Sequence, residues 1–325
     1  MADAIAVVES VYQTATDDRT WLTGICEALN AGSLGAAVGV TGNFFDASDL
    51  MRARYWSHVS VGLPESFLTT MEEMERQARP EQLQALFSCR DVATASELLA
   101  RAGLPLEDFS RWLWKYGVRD MMGITAASPD RRGLVFGFAL PSARRPTATE
   151  RRRWTKVAAH AAAGHRLRNQ LARSVAPEAV LRPDGRIEHA ELAAKPAAAR
   201  ETLRSAARSV DRARSRLRRE DPDGALELWK GLIGGRWSLV DHFEKDGRRY
   251  LVARRNEPDV QAAPTLTRRE AQVAGYAALG HGNKLIAYEL GLSVSTVATH
   301  LSAAQHKLGL RSRVDLASVV AGERS

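Results

Sequence analysis

The chain has 325 residues, 45% of them hydrophobic, enough for two or three packed domains and too apolar for a disordered chain. Two cysteines, Cys26 and Cys89, exclude a disulfide framework and lack metal-ligand spacing, so they read as reduced, packed thiols. The formal charge of +8 favours an acidic partner, and it is unevenly spread: residues 1–130 carry 10 basic and 18 acidic groups, whereas residues 131–220 carry 22 and 8.

No apolar run approaches the ~20 residues that span a bilayer. Met1-Ala2-Asp3-Ala4-Ile5 lacks the charged start and apolar core of a secretory signal. A cytoplasmic protein that touches no membrane is the expectation.

In chain order, Ile5, Val8, Val11 and Tyr12 make one helical face. Trp21, Leu22, Ile25, Cys26 and Leu29 make another, with Asp17-Asp18 as the turn between them. Gly35 to Phe45 changes to a buried-strand pattern closing near Asp46, and Met51 to Val61 suits the next strand. Pro64 to Phe87 reads as helix broken at Pro80, and Leu106 to Tyr116 as another helix. Met121 to Ala127 and Gly133 to Leu140 read as paired strands joined by Ser128-Pro129-Asp130. Thr147-Ala148-Thr149-Glu150 is a capping box opening a long helix to about Ser174. This order suits an α+β sensory domain over residues 1–175. It resembles GAF-like domains, and the resemblance implies a small ligand over the sheet, with Phe44, Tyr55, Trp56, Trp112 and Trp114 as lining, although such aromatics are more often plain core.

A second unit, residues 176–256, begins with Ala179-Val180-Leu181 and Arg186-Ile187 about Pro183-Asp184-Gly185, a hairpin with a glycine turn. Trp237 to Phe243 and Arg249 to Ala253 flank Asp246-Gly247, a hairpin dipeptide between alternating residues. By element order this resembles a shortened PAS-like domain. Between the hairpins, Leu203, Ala206, Val210, Ala213 and Leu217 recur at intervals of 3 and 4. That seam suits either a short coiled coil between subunits or, in preference, a helix lying on its own sheet. Residues 257–263 read as a linker.

Enzymatic chemistry finds no support. His165-Arg166-Leu167-Arg168-Asn169-Gln170-Leu171 superficially matches the phospho-accepting helix of sensor kinases, but Arg166 stands where an acid would activate the imidazole and Gln170 where a proline follows. No nucleophile with base and orienter stands out, and no cofactor or metal is expected.

The last stretch, residues 264–325, reads as short helices built to put one of them in a DNA groove. Thr267-Arg268-Arg269-Glu270 is a capping box, Gly280-His281-Gly282 a helix stop, and Asn283 to Leu290 a second helix. Gly291-Leu292 turns the chain, and Ser293 caps a third helix whose Val297, Leu301, Ala304 and Leu308 share one side. Its other side carries Ser295, Thr299, Ser302 and His306 with Ala298, small side chains that let a helix approach base edges. Lys284, Lys307, Arg311 and Arg313 flank that face, where phosphates lie. Ser312 caps a fourth helix carrying Leu316, Val319 and Val320.

These residues resemble the LuxR-type helix-turn-helix. The resemblance rests on Leu266-Thr267-x-Arg269-Glu270, on Gly280-x-x-Asn283-Lys284-x-Ile286-Ala287-x-x-Leu290-Gly291-x-Ser293-x-x-Thr296-Val297-x-x-His300-Leu301, and on Lys307-Leu308-Gly309-x-x-Ser312-Arg313-x-x-Leu316. It implies an all-α four-helix domain, a recognition helix from Val294 to Leu308, and pairing of two such domains through the fourth helix. Ala298 stands where the family often has lysine, so the bound sequence does not carry over. Gly275 inside the first helix costs about 1 kcal/mol relative to alanine.

The expectation is an α+β sensory region, GAF-like then PAS-like, followed by a LuxR-type domain, acting as a homodimeric transcriptional regulator on an imperfect palindrome of double-stranded DNA. Ser295, Thr296, Ala298, Thr299 and Ser302 would read bases, with His300 also at the DNA, while Lys284, Lys307, Arg311 and Arg313 would meet phosphates. A small molecule or protein partner would act through the sensory region, and RNA polymerase is a partner consistent with that role. The sensory region would mask the recognition helix or set the distance between two copies of it. The competing class is a protein-interaction adaptor whose helix-turn-helix binds DNA weakly.

Overall fold

The computed structural model of the chain describes residues 3–316 apart from 15, 33–36, 49–53, 80, 83–91, 173–175, 244–246, 261–262, 311 and 314. The chain divides into two compact units, Met1–Ala127 with Arg132–Ala161, and Ser128–Arg131 with Ala162–Ser325. Cys89, Arg311, Val319 and Val320 lie outside the described residues.

In the first unit, helices α1 (Ala4–Val11) and α2 (Asp18–Ala31) start where Asp3 and Asp17 accept the amides of Ala6 and Thr20, at 3.1 and 3.0 Å. Five strands follow: β1 (Gly39–Asp46), β2 (Arg54–Val61), β3 (Val92–Thr94), β4 (Asp120–Ala127) and β5 (Arg132–Leu140). They form an antiparallel sheet in the order β2-β1-β5-β4-β3. Strand alternation sends Val40, Phe44, Phe136 and Phe138 to one face. There a Cβ on Gly42 would stand 2.5 Å from Cys26 Sγ of α2, so only glycine lets the helix settle. Trp154 of the long helix α6 (Ala148–Leu171) packs on Phe138 with ring centroids 5.4 Å apart.

The other face holds α3 (Glu65–Gln77), α4 (Ala95–Arg101), α5 (Glu107–Ser110) and a 3-10 turn, Arg111–Tyr116. Phe67, Leu99, Leu113 and Met121 are their common core. The helix expected from Pro64 to Phe87 ends at Gln77; Pro80 and residues 83–87 are outside the described residues. The single helix expected over Leu106–Tyr116 is instead one α-turn passing into a 3-10 turn, which stops at Gly117 in the left-handed region (φ 74°).

The second unit contains β6 (Ala179–Leu181), β7 (Ile187–Ala190), β8 (Trp237–Phe243) and β9 (Arg249–Arg255), antiparallel in the order β7-β6-β9-β8. Helix α7 (Ala197–Arg214) buries Leu203, Ala207, Val210 and Ala213, followed by α8 (Leu217–Glu220) and α9 (Pro222–Leu228). The expected seam is thus used within the unit. Ala207 takes the buried place given to Ala206, and Leu217 falls beyond the helix end.

Glu178 anchors the base of this sheet, accepting two bonds from Arg236 (3.0 and 2.7 Å) and one from the Trp237 indole (2.8 Å). Burial alone would raise its pKa, but those donors hold the carboxyl below its usual range. The stretch read as a linker starts inside the fold. Asn256 donates to the Ala163 carbonyl at 2.7 Å, Glu257 pairs with Arg236 and Arg268 at 3.5 and 3.3 Å, and Pro258 is buried.

Candidate nucleic-acid interface

The last three long helices are α10 (Arg268–Ala278), α11 (Asn283–Leu290) and α12 (Val294–Leu308). Each begins or ends where the local sequence demands it. Thr267 and Glu270 form the reciprocal capping box at the start of α10. Gly291 ends α11 and Gly309 ends α12, both in the left-handed conformation that glycine adopts without strain (φ 61° and 68°). Ser293 accepts the Thr296 amide at 3.0 Å. A second reciprocal box, Ser312 with Asp315, follows α12 and directs Leu316 into the core.

One apolar cluster holds the three helices together: Val273, Ala274, Tyr276 and Ala277 of α10, Ile286, Ala287 and Leu290 of α11, and Val297, Leu301 and Ala304 of α12. Leu232, from the loop after α9, is fully buried in the same cluster. Beneath it His281 Nδ1 lies 2.8 Å from Glu289, and the Tyr276 ring stacks on the imidazole. Arg166 of α6, at the site weighed against a kinase helix, is buried and donates to the Tyr276 and Ser128 hydroxyls at 3.1 and 3.0 Å.

With its back so pinned, α12 turns Ser295, Ala298, Thr299, Ser302 and His306 to solvent, while Thr296 and His300 are half-buried. Two hydroxyls at the start of the helix are engaged locally, Ser295 and Thr296 lying 2.8 and 2.7 Å from Ser293 Oγ. Thr299 donates its proton back to the Ser295 carbonyl at 3.1 Å, which leaves its oxygen as an acceptor facing outward. Val294, passed over in the sequence because it opens the helix, is 45% exposed in the first turn.

The cations around this face differ in their freedom. Lys284 is exposed at the start of α11. Lys307 grips the Glu270 carboxylate at 2.7 and 2.9 Å, and Arg313 bonds Asn283 Oδ1 at 2.9 Å and the His281 carbonyl. The bond from Lys307, with the Thr267 amide, holds the Glu270 carboxyl down to about 2.

The helix-turn-helix is docked on the second sheet's own loops. The Tyr288 hydroxyl of α11 lies 2.7 and 2.8 Å from the carbonyls of Leu226 and Trp229. Arg269 donates to the carbonyls of Gly234 and Gly235, both at 3.2 Å. These contacts are made by α10 and α11, and Ser295, Ala298, Thr299 and Ser302 of α12 stay exposed.

In the first unit, a cavity of about 380 Å³ lies on the sheet face opposite α2. Thr41, Asn43 and Phe45 of β1, Gly123 and Thr125 of β4, and Gly137 of β5 floor it. Of the aromatics named from sequence, Tyr55 and Trp112 line it. Phe44 does not: one step of strand alternation from Asn43 puts it on the α2 face, stacked on Trp56 at 5.8 Å. Trp114 is exposed, under the Arg119 guanidinium at 4.6 Å. Glu75 also lines the cavity, and burial, with Glu72 nearby, pushes its pKa up to about 7.

Among the described residues no group of three or more His, Cys, Asp or Glu is placed to hold a metal, and no helix is long and apolar enough to cross a membrane.

Residues 264–320 match the family described as bacterial regulatory proteins, luxR family. The HTH-type transcriptional regulators MalT of Vibrio campbellii and Vibrio parahaemolyticus are each 34% identical over 89 residues, 27% of this chain. The match spans only 10% of the length of those relatives. Escherichia coli SdiA overlays at a TM-score of 0.30 and 13% identity, covering 95% of this chain and 92% of that one. SdiA in complex with octanoyl-rac-glycerol gives 0.24 and 14%, covering 99% and 88%. Both overlays are too loose to bear on the fold of the first 263 residues. The family is carried by sequence at the C-terminus, where the helices from Thr267 to Leu308 and the turn after them form a LuxR-type helix-turn-helix.

Proposed function

We propose that this protein is a transcriptional regulator that reads double-stranded DNA with α12 and is modulated by its N-terminal units. The observation carrying this is the contrast between the two sides of α12. Val297, Leu301 and Ala304 are locked in the core, and Ser295, Ala298, Thr299 and Ser302 form a smooth, uncharged, exposed front. Hydroxyls on such a front bond base edges, and methyls of Ala298 and Val294 can meet thymine. Thr299, its proton already used, would accept from an adenine or cytosine amino group.

Thr296 and His300 lie at the border of the front, and Lys284, Lys307, Arg311 and Arg313 would position phosphates. Lys307 and Arg313 would do so only by exchanging their present partners, Glu270 and Asn283, for the backbone. Two copies would bind an imperfect palindrome as a homodimer. The first sheet, with helices on both faces, supports the GAF-like reading and its cavity is the place for a small modulating ligand. The second sheet supports the PAS-like reading, acting as the platform that holds the helix-turn-helix.

A salt titration on duplex DNA with bulk competitor tests this. A regulator loses affinity linearly in log salt and prefers one sequence over the competitor. Thr299→Glu should abolish that preference while the circular dichroism spectrum and melting temperature stay unchanged. Flat salt dependence and no sequence preference would favour the adaptor reading, and preference retained by Thr299→Glu would remove α12 as the reader.

A further inference from the structure

The net charge of residues 131–220 is concentrated in a pattern that the helix-turn-helix does not use. Arg200, Arg204, Arg208 and Arg212 follow one another at intervals of four along α7, and Arg216 continues the spacing just past the extended Ser215 that ends the helix. Residues four apart lie one above another on a helix, so the guanidinium groups of Arg200 to Arg212 form a ridge about 18 Å long at 1.5 Å per residue, with Arg216 just past its end. Arg208, Arg212 and Arg216 are exposed, while Leu203, Ala207, Val210 and Ala213 face the unit's interior.

Like charges one turn apart destabilise a helix, and the local acids relieve this only at the ends. Glu201 pairs with Arg204 at 3.4 Å and Glu220 with Arg216 at 2.5 Å. Asp211, which could have served the middle, is taken by Arg249 at 3.0 Å. Among the described residues Arg208 and Arg212 have no ion-pair partner; Arg208 donates to the Asp184 carbonyl at 2.9 Å, a bond that leaves its charge uncompensated.

The same unit ties the C-terminal end of α7 to the helix-turn-helix. Arg214 lies over the Trp229 ring at 4.2 Å, and the Trp229 carbonyl lies 2.8 Å from the Tyr288 hydroxyl. Lys230 covers the Tyr288 ring at 4.6 Å. Lys284 is one turn before Tyr288 on the same side of α11. The C-terminal end of the ridge is thus joined through Trp229 to the side of α11 that carries the exposed Lys284.

We propose that the arginine ridge of α7 is a second DNA-contacting surface, which grips the phosphate backbone beside the site read by α12 and adds affinity without sequence preference. The proposal rests on the DNA-binding reading above. A ridge of this length spans roughly five base pairs at 3.4 Å each. A row of guanidinium groups suits phosphates because each can bond two oxygens at once, and a polyanion relieves the repulsion within the row.

The test uses the full chain, a duplex of about 30 base pairs at a series of NaCl concentrations, and the triple variant Arg208→Gln, Arg212→Gln, Arg216→Gln. Each lost phosphate contact lowers the slope of log affinity against log salt by about 0.9, so the variant should lose roughly 2 to 3 in slope. Its ratio of affinities for preferred and competitor sequences should stay as in the wild type. Arginine modification by phenylglyoxal on the unmutated protein gives an independent readout: duplex DNA should protect Arg208, Arg212 and Arg216.

An unchanged slope, or unprotected arginines in a protein that binds DNA, overturns the ridge and leaves the helix-turn-helix reading standing. A wild-type chain with no salt-dependent binding to any duplex overturns both. Loss of binding to phosphatidylglycerol vesicles in the triple variant, with the DNA slope intact, would identify an anionic membrane surface as the partner and refute the proposal.

Discussion

Gly275 looks like a defect in α10 until its neighbours are known. A Cβ there would stand 2.8 Å from Pro129 Cβ and 3.6 Å from Val260, so the helix sacrifices propensity for close approach. Gly275→Ala should therefore destabilise by about 1–3 kcal/mol, the cost of overpacking, rather than gain the ~1 kcal/mol of helix propensity. Thermal unfolding decides the sign. Glu270 makes a prediction about acid. Lys307 and the Thr267 amide hold its pKa down to about 2 from an ordinary 4.5. A carboxyl whose folded pKa is depressed contributes fully above the unfolded value and loses that contribution as pH falls through the folded one. The wild type should lose stability between about pH 4.5 and 2, and Glu270→Gln should flatten that limb in melting experiments. Identical acid limbs would mean that the pair carries no stability. The capping role of Glu270 was legible from Thr267-x-x-Glu270; its hold on Lys307, 37 residues away, was not, since nothing local encodes it.

At the scale of elements, local chemistry located the helix ends that matter. Ser293, Gly291 and Thr267 mark them because caps and left-handed stops act over three or four residues, a range within which sequence spacing equals spatial spacing. Ser293→Ala should cost about 1 kcal/mol of local stability at the start of α12, seen as faster amide exchange at Thr296 and Val297; unchanged exchange would place the stability of that turn elsewhere. Strand pairs joined by short turns were equally legible, and β4 with β5 runs from Asp120↔Leu140 to Ala127↔Gly133. The three-residue strand β3 and helix α4 escaped the sequence, because neither is long enough to show a period and β3 is defined only by its partner β4. The α7 stripe was periodic in sequence, but periodicity names a buried face without naming what buries it. Only the fold shows that Leu203, Val210 and Ala213 are buried within the unit itself.

For the second unit as a body, one residue of the helix-turn-helix core lies outside the helix-turn-helix. Leu232 is fully buried among Val273, Ile286, Leu290 and Val297. Leu232→Ala should remove about 2–5 kcal/mol, the usual cost of such a cavity. Hydrogen exchange should report the loss in α10, α11 and α12 together with the second sheet. Loss confined to the loop that carries Leu232 would mean that the second sheet and the helix-turn-helix fold separately. The sequence by itself determined the C-terminal helix-turn-helix: its caps, turns and apolar periodicity are short-range, and the luxR family match covers the same stretch, residues 264–320. Tertiary structure alone decided which strand face carries the cavity, which cations near α12 are already engaged, and what supports the domain from behind. Those depend on contacts such as Arg166 with Tyr276 and Tyr288 with Leu226, between side chains 110 and 62 residues apart, a separation at which spacing along the chain carries no information.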